Sequence, residues 1–236
     1  MGHYLQLFAL PAVAVLVIGY LLGSVSSSII FTKIFGKTDI RTMGSGNAGM
    51  TNVLRSVGAK AAILTSILDF AKCVLASLIG RLIFQYVCGA NAAPAYLIQY
   101  GTLLAGLACV LGHIYPLYFG FRGGKGILST SAMMLVLDWR IFVLAVTVFV
   151  VTLLISKIIS ISSILAAASF PFTAFLTTYY DWSTKSSGFG QLPVSYIIVV
   201  TAFAVVFSAL LIFKHRANIE RLRNGTEKKV SVKHKS

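Results

Sequence analysis

The sequence predicts an all-α protein that crosses a membrane about seven times, and three observations support this. Of the 236 residues, 57% are hydrophobic and only 11% are charged, whereas soluble domains carry roughly 25% charged residues. The apolar residues form runs close to the 20 or so that cross a bilayer as a helix. The mean hydropathy is +0.87. A soluble core of this size could not bury so much apolar surface, so residues 1–236 are interpreted as one integral membrane domain.

Seven apolar segments are candidate membrane helices. Five are near full length or longer, at 5–31, 61–86, 96–114, 158–177 and 193–213, and two are shorter, at 127–137 and 141–155. The two short segments are too short to cross alone as ideal helices. Either they tilt, or a polar recess locally enters the bilayer, or the chain crosses the membrane fewer than seven times. No Lys or Arg precedes the first segment and no cleavage site is evident, which favours a retained helix over a signal peptide.

The formal charge of +14 arises from 20 Lys and Arg residues against 6 Asp and Glu residues. In a soluble protein this balance would suggest nucleic-acid binding. Here sixteen of the cations fall in alternate loops and in the C-terminal tail, and cytoplasmic loops carry such an excess. The N-terminus is therefore predicted outside and the C-terminus inside, with a basic cytoplasmic tail over 214–236 that is mobile after about residue 226.

The first predicted inner loop is rich in glycine and in polar side chains. Residues 44–55 read GSGNAGMTNVLR. The pattern G-x-G-x-x-G occurs here, but a dinucleotide site also requires a preceding strand and a βαβ unit, and membrane helices flank this loop. Glycines let backbone N–H groups approach an anion, and Arg55 can add a bidentate cation. The segment alone leaves open an anion-binding loop and an ordinary turn.

The second predicted inner loop places two cations among glycines. Residues 112–126 read GHIYPLYFGFRGGKG, and an apolar segment follows at Ile127. A helix N-terminus is a favourable place for an anion, although positive-inside bias alone could also account for Arg122 and Lys125. His113 is typical of a hydrogen-bonded histidine at a helix interface.

Two further polar segments fall on the same predicted side of the membrane. Ser162 and Ser163 lie in the third inner connection, where serines often serve helix packing. In the tail, His215 and Asn218 share a face with Leu222 if the last helix continues. The convergence of these segments predicts a site for one or more phosphates, beside apolar helices that could hold an acyl chain.

Metal, disulfide and nucleophile chemistry are not expected. The cysteines Cys73, Cys88 and Cys109 lie in apolar stretches without CxxC spacing and are predicted to be buried thiols. No paired inner carboxylates suit Mg²⁺. The sequence pattern also offers no Cys-His or Ser-His-Asp set, so no metal and no cofactor are predicted.

The loops and the tail together resemble three motifs of the bacterial acyl-phosphate:glycerol-3-phosphate acyltransferases. The motifs correspond to residues 44–55, 112–126 and 215–227, in the order typical of that family. The resemblance extends over nearly the whole chain, and the three motifs together are highly specific. Departures are small: Met50 stands where alanine is usual, and Arg122 stands where lysine is frequent.

The resemblance implies an enzyme of the bacterial inner membrane whose active site faces the cytoplasm. It would transfer an acyl group from acyl phosphate to glycerol 3-phosphate, giving lysophosphatidate and phosphate. Membrane lipid would surround the enzyme, and neither a cofactor nor nucleic acid is expected. The resemblance leaves the oligomeric state open, and a monomer is one of the alternatives. The catalytic positions are Ser45, Arg55, Lys125, His215 and Asn218. The substrate-binding positions are Gly44, Gly46, Asn47, Thr51, Asn52, Gly123, Gly124, Gly126, Ser162, Ser163, Arg122 and Arg216, and Glu227 is structural.

The sequence leaves two questions open: the acceptor of the hydroxyl proton and the functional class. The proton of the glycerol hydroxyl could pass to His215 or to the phosphate of a substrate. The rival functional class is a membrane transporter of a phosphorylated metabolite or lipid. Charged residues are scarce within the apolar segments and no pair of similar halves is visible, both of which disfavour transport.

Overall fold

The computed structural model describes residues 2–229 and has only helices and connections in that part of the chain. The helices are α1 (Gly2–Gly23), α2 (Ser27–Gly36), α3 (Met50–Ser56), α4 (Ala59–Ala90), α5 (Ile98–Ile114), α6 (Ile127–Leu137), α7 (Trp139–Ser156), α8 (Ile159–Thr184), α9 (Val194–Lys214) and α10 (Arg216–Arg223). The all-α prediction is confirmed. The end of the predicted basic tail, residues 230–236, lies outside the described residues.

Six helical segments within residues 2–229 are long and apolar enough to cross a membrane. They are Gln6–Gly36, Ala59–Ala90, Ala95–Phe119, Trp139–Ser156, Ile159–Thr184 and Val194–Lys214. The helix α6 has 11 residues, which corresponds to about 16 Å, roughly half of the hydrocarbon thickness. The prediction of a multi-pass membrane protein is confirmed, while the count of seven crossings and the orientation of the termini stay predictions.

The short helix α6 nevertheless runs along most of α5 in the opposite direction. Gly126, just before α6, lies beside Val110 and Ile114 near the end of α5. At the other end, Gln99 Nε2 at the start of α5 donates to the carbonyl of Leu137, at 3.1 Å. The chain therefore returns to the far end of the bundle between α5 and α7.

The first apolar segment is divided into two helices. We predicted one helix over 5–31, but α1 ends at Gly23 and α2 begins at Ser27. Carbonyls at a helix end need new hydrogen-bond partners. The Nζ of Lys72 in α4 donates to the carbonyls of Gly23 at 3.0 Å and of Val25 at 2.6 Å. A side chain from another helix thus satisfies the break, and the sequence of α1 and α2 alone does not reveal it.

The central helix of the bundle is α5, which packs against α1, α4 and α6. The most apolar stretch of the segment that contains α5 is 67% buried, against 11% for α7, which lies at the periphery of the bundle. The main core includes Leu103, Met133, Phe170 and Phe207. The three cysteines are buried and unbridged, as predicted.

Close packing of α4 on α5 gives a stability prediction. A Cβ added at Gly80 in α4 would lie 2.3 Å from the carbonyl oxygen of Gly101 in α5. Overpacking of this kind costs about 1–3 kcal/mol, so we expect Gly80→Ala to lower the apparent melting temperature in detergent. The matched control is Gly89→Ala in the same helix, where a Cβ meets nothing within 4 Å. Equal melting temperatures for the two variants would contradict this packing.

Candidate active site

The predicted polar segments meet at one end of the bundle, where α5 and α9 end. They surround a cavity of about 150 Å³, called here the central cavity. Eleven predicted site residues line it: Ser45, Asn47, Thr51, Asn52, Arg55, Lys125, Gly126, Ser163, His215, Asn218 and Glu227. All three motifs and one of the two predicted serines therefore share a single site.

A second cavity of about 390 Å³, the outer cavity, adjoins the first and shares Lys125 with it. Four predicted residues that do not line the central cavity line the outer one: Gly46, Gly123, Arg122 and Arg216. Three further cations line it as well, namely Arg41, Lys214 and Arg221. The cations make it a positively charged vestibule. Three predicted residues line neither cavity: Gly44, Gly124 and Ser162. The hydroxyl of Ser162 donates instead to the carbonyl of Ile158, at 2.9 Å.

The first-motif loop is held in shape by the side chain of Asn52. Its Nδ2 lies 3.2, 2.9 and 3.1 Å from the carbonyl oxygens of Ile40, Met43 and Asn47, respectively. Its Oδ1 accepts from the backbone N–H of Ser45 at 3.0 Å. We predicted Asn52 as a substrate contact. Its amide is committed within the loop, so the geometry favours a role in presenting Ser45.

The second-motif loop turns back on the end of α5 and presents Lys125. The backbone N–H groups of Gly123 and Gly124 donate to the carbonyls of Ile114 and His113, each at 3.1 Å. A Cβ at Gly124 would lie 2.2 Å from His113 Nε2. Gly126 has a φ of +89°, a conformation that glycine adopts without strain. The glycines are thus needed for close packing and for the turn into α6.

Lys125 is positioned by a chain of hydrogen bonds from the tail. Its Nζ donates to Oδ1 of Asn218, and Asn218 Nδ2 donates to Glu227 Oε1 at 2.8 Å. Glu227 also accepts from Ser160 Oγ at 2.8 Å and from Arg221 Nε at 2.6 Å. Glu227 thus ties the tail to α8 and α10, and the mobility of the tail after about residue 226 stays a prediction.

Burial and neighbouring charges shift the ionisation of this chain. Burial lowers the pKa of Lys125 to about 8, and the positive charges of Arg221 and Arg55 lower it further against the opposing charge of Glu227. Burial would raise the pKa of Glu227, but the hydrogen bonds from Asn218, Arg221 and Ser160 outweigh burial and hold it below its usual value. Lys125 can therefore lose its proton at mildly alkaline pH, whereas Glu227 stays ionised.

His215 lies at the junction of α9 and α10 as a neutral imidazole. Burial lowers its pKa to about 4, and the charge of Lys125 contributes. The Nδ1 of His215 is 2.8 Å from the carbonyl oxygen of Leu211. Since a carbonyl only accepts, we assign the proton to Nδ1, and Nε2 then becomes the hydrogen-bond acceptor.

An apolar groove continues from the central cavity between α6, α7 and α8. It encloses about 130 Å³ and shares Ile127, Leu128, Phe149 and Ser163 with the central cavity. Apart from Thr130 and Ser131, the remainder of its lining is apolar, and it reaches Met134. The site therefore joins a cationic, polar chamber to a hydrocarbon-lined groove.

Four polar residues that line the central cavity were not among the predicted site residues. Ser160 and Arg221 lie close to predicted positions along the chain, yet their contacts run to Glu227. Asp69 and His113 also line the cavity. A charged group within an apolar helix is a signal for function, and Asp69 in α4 carried that signal.

The chain was compared with known proteins. The family model described as glycerol-3-phosphate acyltransferase matches residues 13–225. This chain belongs to that family. Relatives named glycerol-3-phosphate acyltransferase include one from Mycoplasmopsis synoviae, 37% identical over 97% of this chain and 100% of its own length. Another, from Chlorobaculum tepidum, is 33% identical over 96% of this chain and 100% of its own length.

Solved structures of the same family share this fold. The crystal structure of PlsY (YgiH), an integral membrane glycerol 3-phosphate acyltransferase, in its glycerol 3-phosphate form has a TM-score of 0.71 and 31% identity, covering 93% of this chain and 96% of that one. The lysophosphatidic acid form has a TM-score of 0.69 and 30% identity over 93% and 95%. The predicted class, a membrane-integral acyltransferase enzyme, is confirmed.

The ionisation of Lys125 predicts how phosphate binding depends on pH. A lysine whose pKa is about 8 is a cation below that pH and loses its charge as the pH rises through it. We expect the Kd of methyl phosphate, a dianion above about pH 7, to rise by up to about tenfold per pH unit above 8. Calorimetry on the purified protein measures this. Lys125→Arg should remove the change, and a flat profile for the unmodified chain would contradict the assignment.

Proposed function

We propose that the protein transfers an acyl group from acyl phosphate to glycerol 3-phosphate, giving 1-acyl-glycerol 3-phosphate and phosphate. The observation that carries the proposal is the junction of the cationic central cavity with the apolar groove at Ile127, Leu128, Phe149 and Ser163. An acyl phosphate has a charged end and a hydrocarbon end, and it would lie across that junction. The glycerol 3-phosphate and lysophosphatidic acid forms of the related PlsY structures support the acceptor and the product.

Because two anionic substrates must lie side by side, we assign to them cations that are not paired with a carboxylate within residues 2–229. Arg55 and Lys125 line the central cavity, and Arg122 and Arg216 line the outer cavity through which a water-soluble phosphate ester would enter. Cations fixed before the substrates bind stabilise the charge that develops on the leaving phosphate. Ser45 supplies a neutral donor beside them.

The proposed reaction needs no covalent enzyme intermediate, because the acyl group is already activated. The glycerol hydroxyl oxygen attacks the acyl carbonyl carbon and forms the ester bond. The bond from that carbon to the phosphate oxygen breaks, and phosphate leaves with the bonding electrons. Catalysis then rests on holding both substrates close together and on stabilising charge.

We assign the hydroxyl proton to a substrate phosphate and a positioning hydrogen bond to His215. With a pKa of about 4, His215 is a weaker base than a phosphate monoester, whose second pKa is about 6. The Nε2 of His215 can still accept a hydrogen bond from the hydroxyl and orient it. This division of roles agrees with the lining of the central cavity, which includes His215.

The proposed membrane orientation places this site at the cytoplasmic face of a bacterial inner membrane. The site end of the bundle carries Lys33 in the last turn of α2, the connections with Lys37, Arg122 and Lys157, and the tail that follows Lys214. Positive loops favour the cytoplasm. The N-terminus would then lie outside, as the sequence predicts, because α1 ends beside the end of α5 and so begins at the opposite end of the bundle.

Loss of the proposed phosphate clamp tests the function. Purified protein in detergent is mixed with acyl phosphate and glycerol 3-phosphate, and phosphate release and lysophosphatidate are followed. We expect turnover for the unmodified chain and a loss of about 10²- to 10³-fold in kcat/KM for Arg55→Ala and Lys125→Ala.

The control for this test is Arg223→Ala, a cation of the same end that is exposed and lines none of the three cavities. It should keep its kcat/KM. Product formation without two compartments excludes a pure carrier. Near-normal activity of both clamp variants would refute the assignment, and absence of turnover in the unmodified chain would refute the proposed reaction.

Replacement of His215 distinguishes orientation from proton transfer. Glutamine retains hydrogen-bonding groups but takes no proton at neutral pH, so His215→Gln should keep kcat within about tenfold of the unmodified enzyme. A general base contributes about 10²- to 10⁴-fold. A loss in that range, measured by phosphate release with both substrates saturating, would make His215 the base instead.

A further inference from the structure

A buried polar cluster lies beneath the central cavity and is not used by the proposed reaction. It consists of Asp69 and Lys72 of α4 and His113 of α5, whose side chains are at most 9% exposed. Lys72 Nζ is 2.9 Å from Asp69 Oδ1. His113 Nδ1 is 3.2 Å from Lys72 Nζ and 3.5 Å from Asp69 Oδ1. Three groups that can carry charge therefore meet inside a membrane bundle.

Stability alone gives a weak reason for such a cluster. A buried ion pair loses its hydration, and replacing it with packed apolar side chains is often neutral or stabilising. Charged groups within membrane helices are correspondingly rare and functional. Asp69 and Lys72 lie one helical turn apart in α4, facing both the helix break and the second-motif loop.

One side of the cluster fixes the break between α1 and α2. Lys72 donates to the carbonyls of Gly23 and Val25 and is paired with Asp69. The carboxylate of Asp69 in turn accepts from the hydroxyl of Ser27 at 3.1 Å. Ser27 is the first residue of α2. Since α2 leads into the first-motif loop, the cluster sets where that loop begins.

Two contacts of its Nδ1 orient the ring of His113. The Nδ1 lies 3.2 Å from Lys72 Nζ and 3.5 Å from Asp69 Oδ1. The ammonium of Lys72 is itself held by the carbonyls of Gly23 and Val25. The imidazole is then held with its Nε2 towards the second-motif loop.

The other side of the cluster supports that loop. Gly124 packs so closely on the imidazole that an added Cβ would lie 2.2 Å from His113 Nε2 and 2.7 Å from the carbonyl oxygen of Ala48 in the first-motif loop. The carbonyl of His113 also accepts from Gly124 N–H. Lys125 is the next residue, so a shift of the imidazole moves the phosphate-binding lysine.

We propose that Asp69, Lys72 and His113 are positioning residues for the phosphate site: the buried ion pair orients the imidazole, and the imidazole supports both motif loops around Lys125. The catalytic role of these residues rests on the proposed function. Their predicted effect on phosphate affinity does not, because phosphate binding is measured without turnover.

The test compares Asp69→Asn and His113→Leu with a matched control. The control is Arg140→Gln, which breaks the ion cluster of Arg140 with Asp138 and Asp181 away from both motif loops. Melting temperature, the Kd of inorganic phosphate and the KM of glycerol 3-phosphate are measured for each folded variant in detergent. Misplacement of a binding group by about 1 Å can cost about a hundredfold.

We expect the Kd of phosphate and the KM to rise together by about ten- to a hundredfold in the two cluster variants. Arg140→Gln should lower the melting temperature and leave the Kd within about twofold. Cluster variants that melt earlier but bind phosphate as the unmodified chain does would overturn the proposal.

A conservative variant covers the case in which Asp69→Asn does not fold. The side-chain amide of His113→Gln can still hydrogen-bond to Lys72 or Asp69, so its Kd should lie closer to the unmodified value than that of His113→Leu. Equal, unmodified affinity in both His113 variants would overturn the proposal. An unmodified chain that binds phosphate but shows no turnover would contradict the proposed reaction and leave this inference standing.

Discussion

Two phosphates held beside a lipid bilayer require positive charges that the protein's own carboxylates have not already neutralised. The acidic side chains of this chain are few, and five of the six have cation partners: Asp39 with Arg41, Asp69 with Lys72, Asp138 and Asp181 with Arg140, and Glu227 with Arg221. Neither Arg55 nor Lys125 is in an ion pair within residues 2–229. The same pairs that fasten the bundle therefore leave the cations of the central cavity available.

Lys125 illustrates how a cation can be fixed without being neutralised. Its partner is the amide oxygen of Asn218, and the carboxylate of Glu227 lies one hydrogen bond further away. The amide transmits position while the charge stays uncompensated. Burial lowers the pKa of Lys125 to about 8, and a bound phosphate would favour the charged form again. The site is thus arranged in advance for an anion, the condition for electrostatic catalysis.

The sequence predicted the loops of the site better than the contacts between them. Glycine, hydroxyl and cation patterns and the family resemblance led to Ser45, Arg55, Lys125, His215 and Asn218, all of which line one cavity. Local patterns carry this information because each motif is contiguous.

The missed features depend on residues far apart in the chain. Ser160 and Glu227 are 67 positions apart, and Lys72 lies 49 positions from Gly23. No periodicity within α1 and α2 indicates that a lysine of α4 ends the first helix. The shortness of α6, by contrast, is visible in the sequence.

The position of α6 in the bundle leaves room for the polar site. Because α6 begins after Gly126, beside Val110 and Ile114 of α5, the chain enters the bundle below the end of its neighbouring helix. The space left above the start of α6 is occupied by the glycine loop, Lys125 and the central cavity. The apolar groove begins at Ile127 and Leu128, the first residues of the same helix. A full-length helix here would fill the region where a membrane-held acyl chain meets a soluble phosphate ester, so the shortness of α6 creates the junction on which the proposed reaction depends.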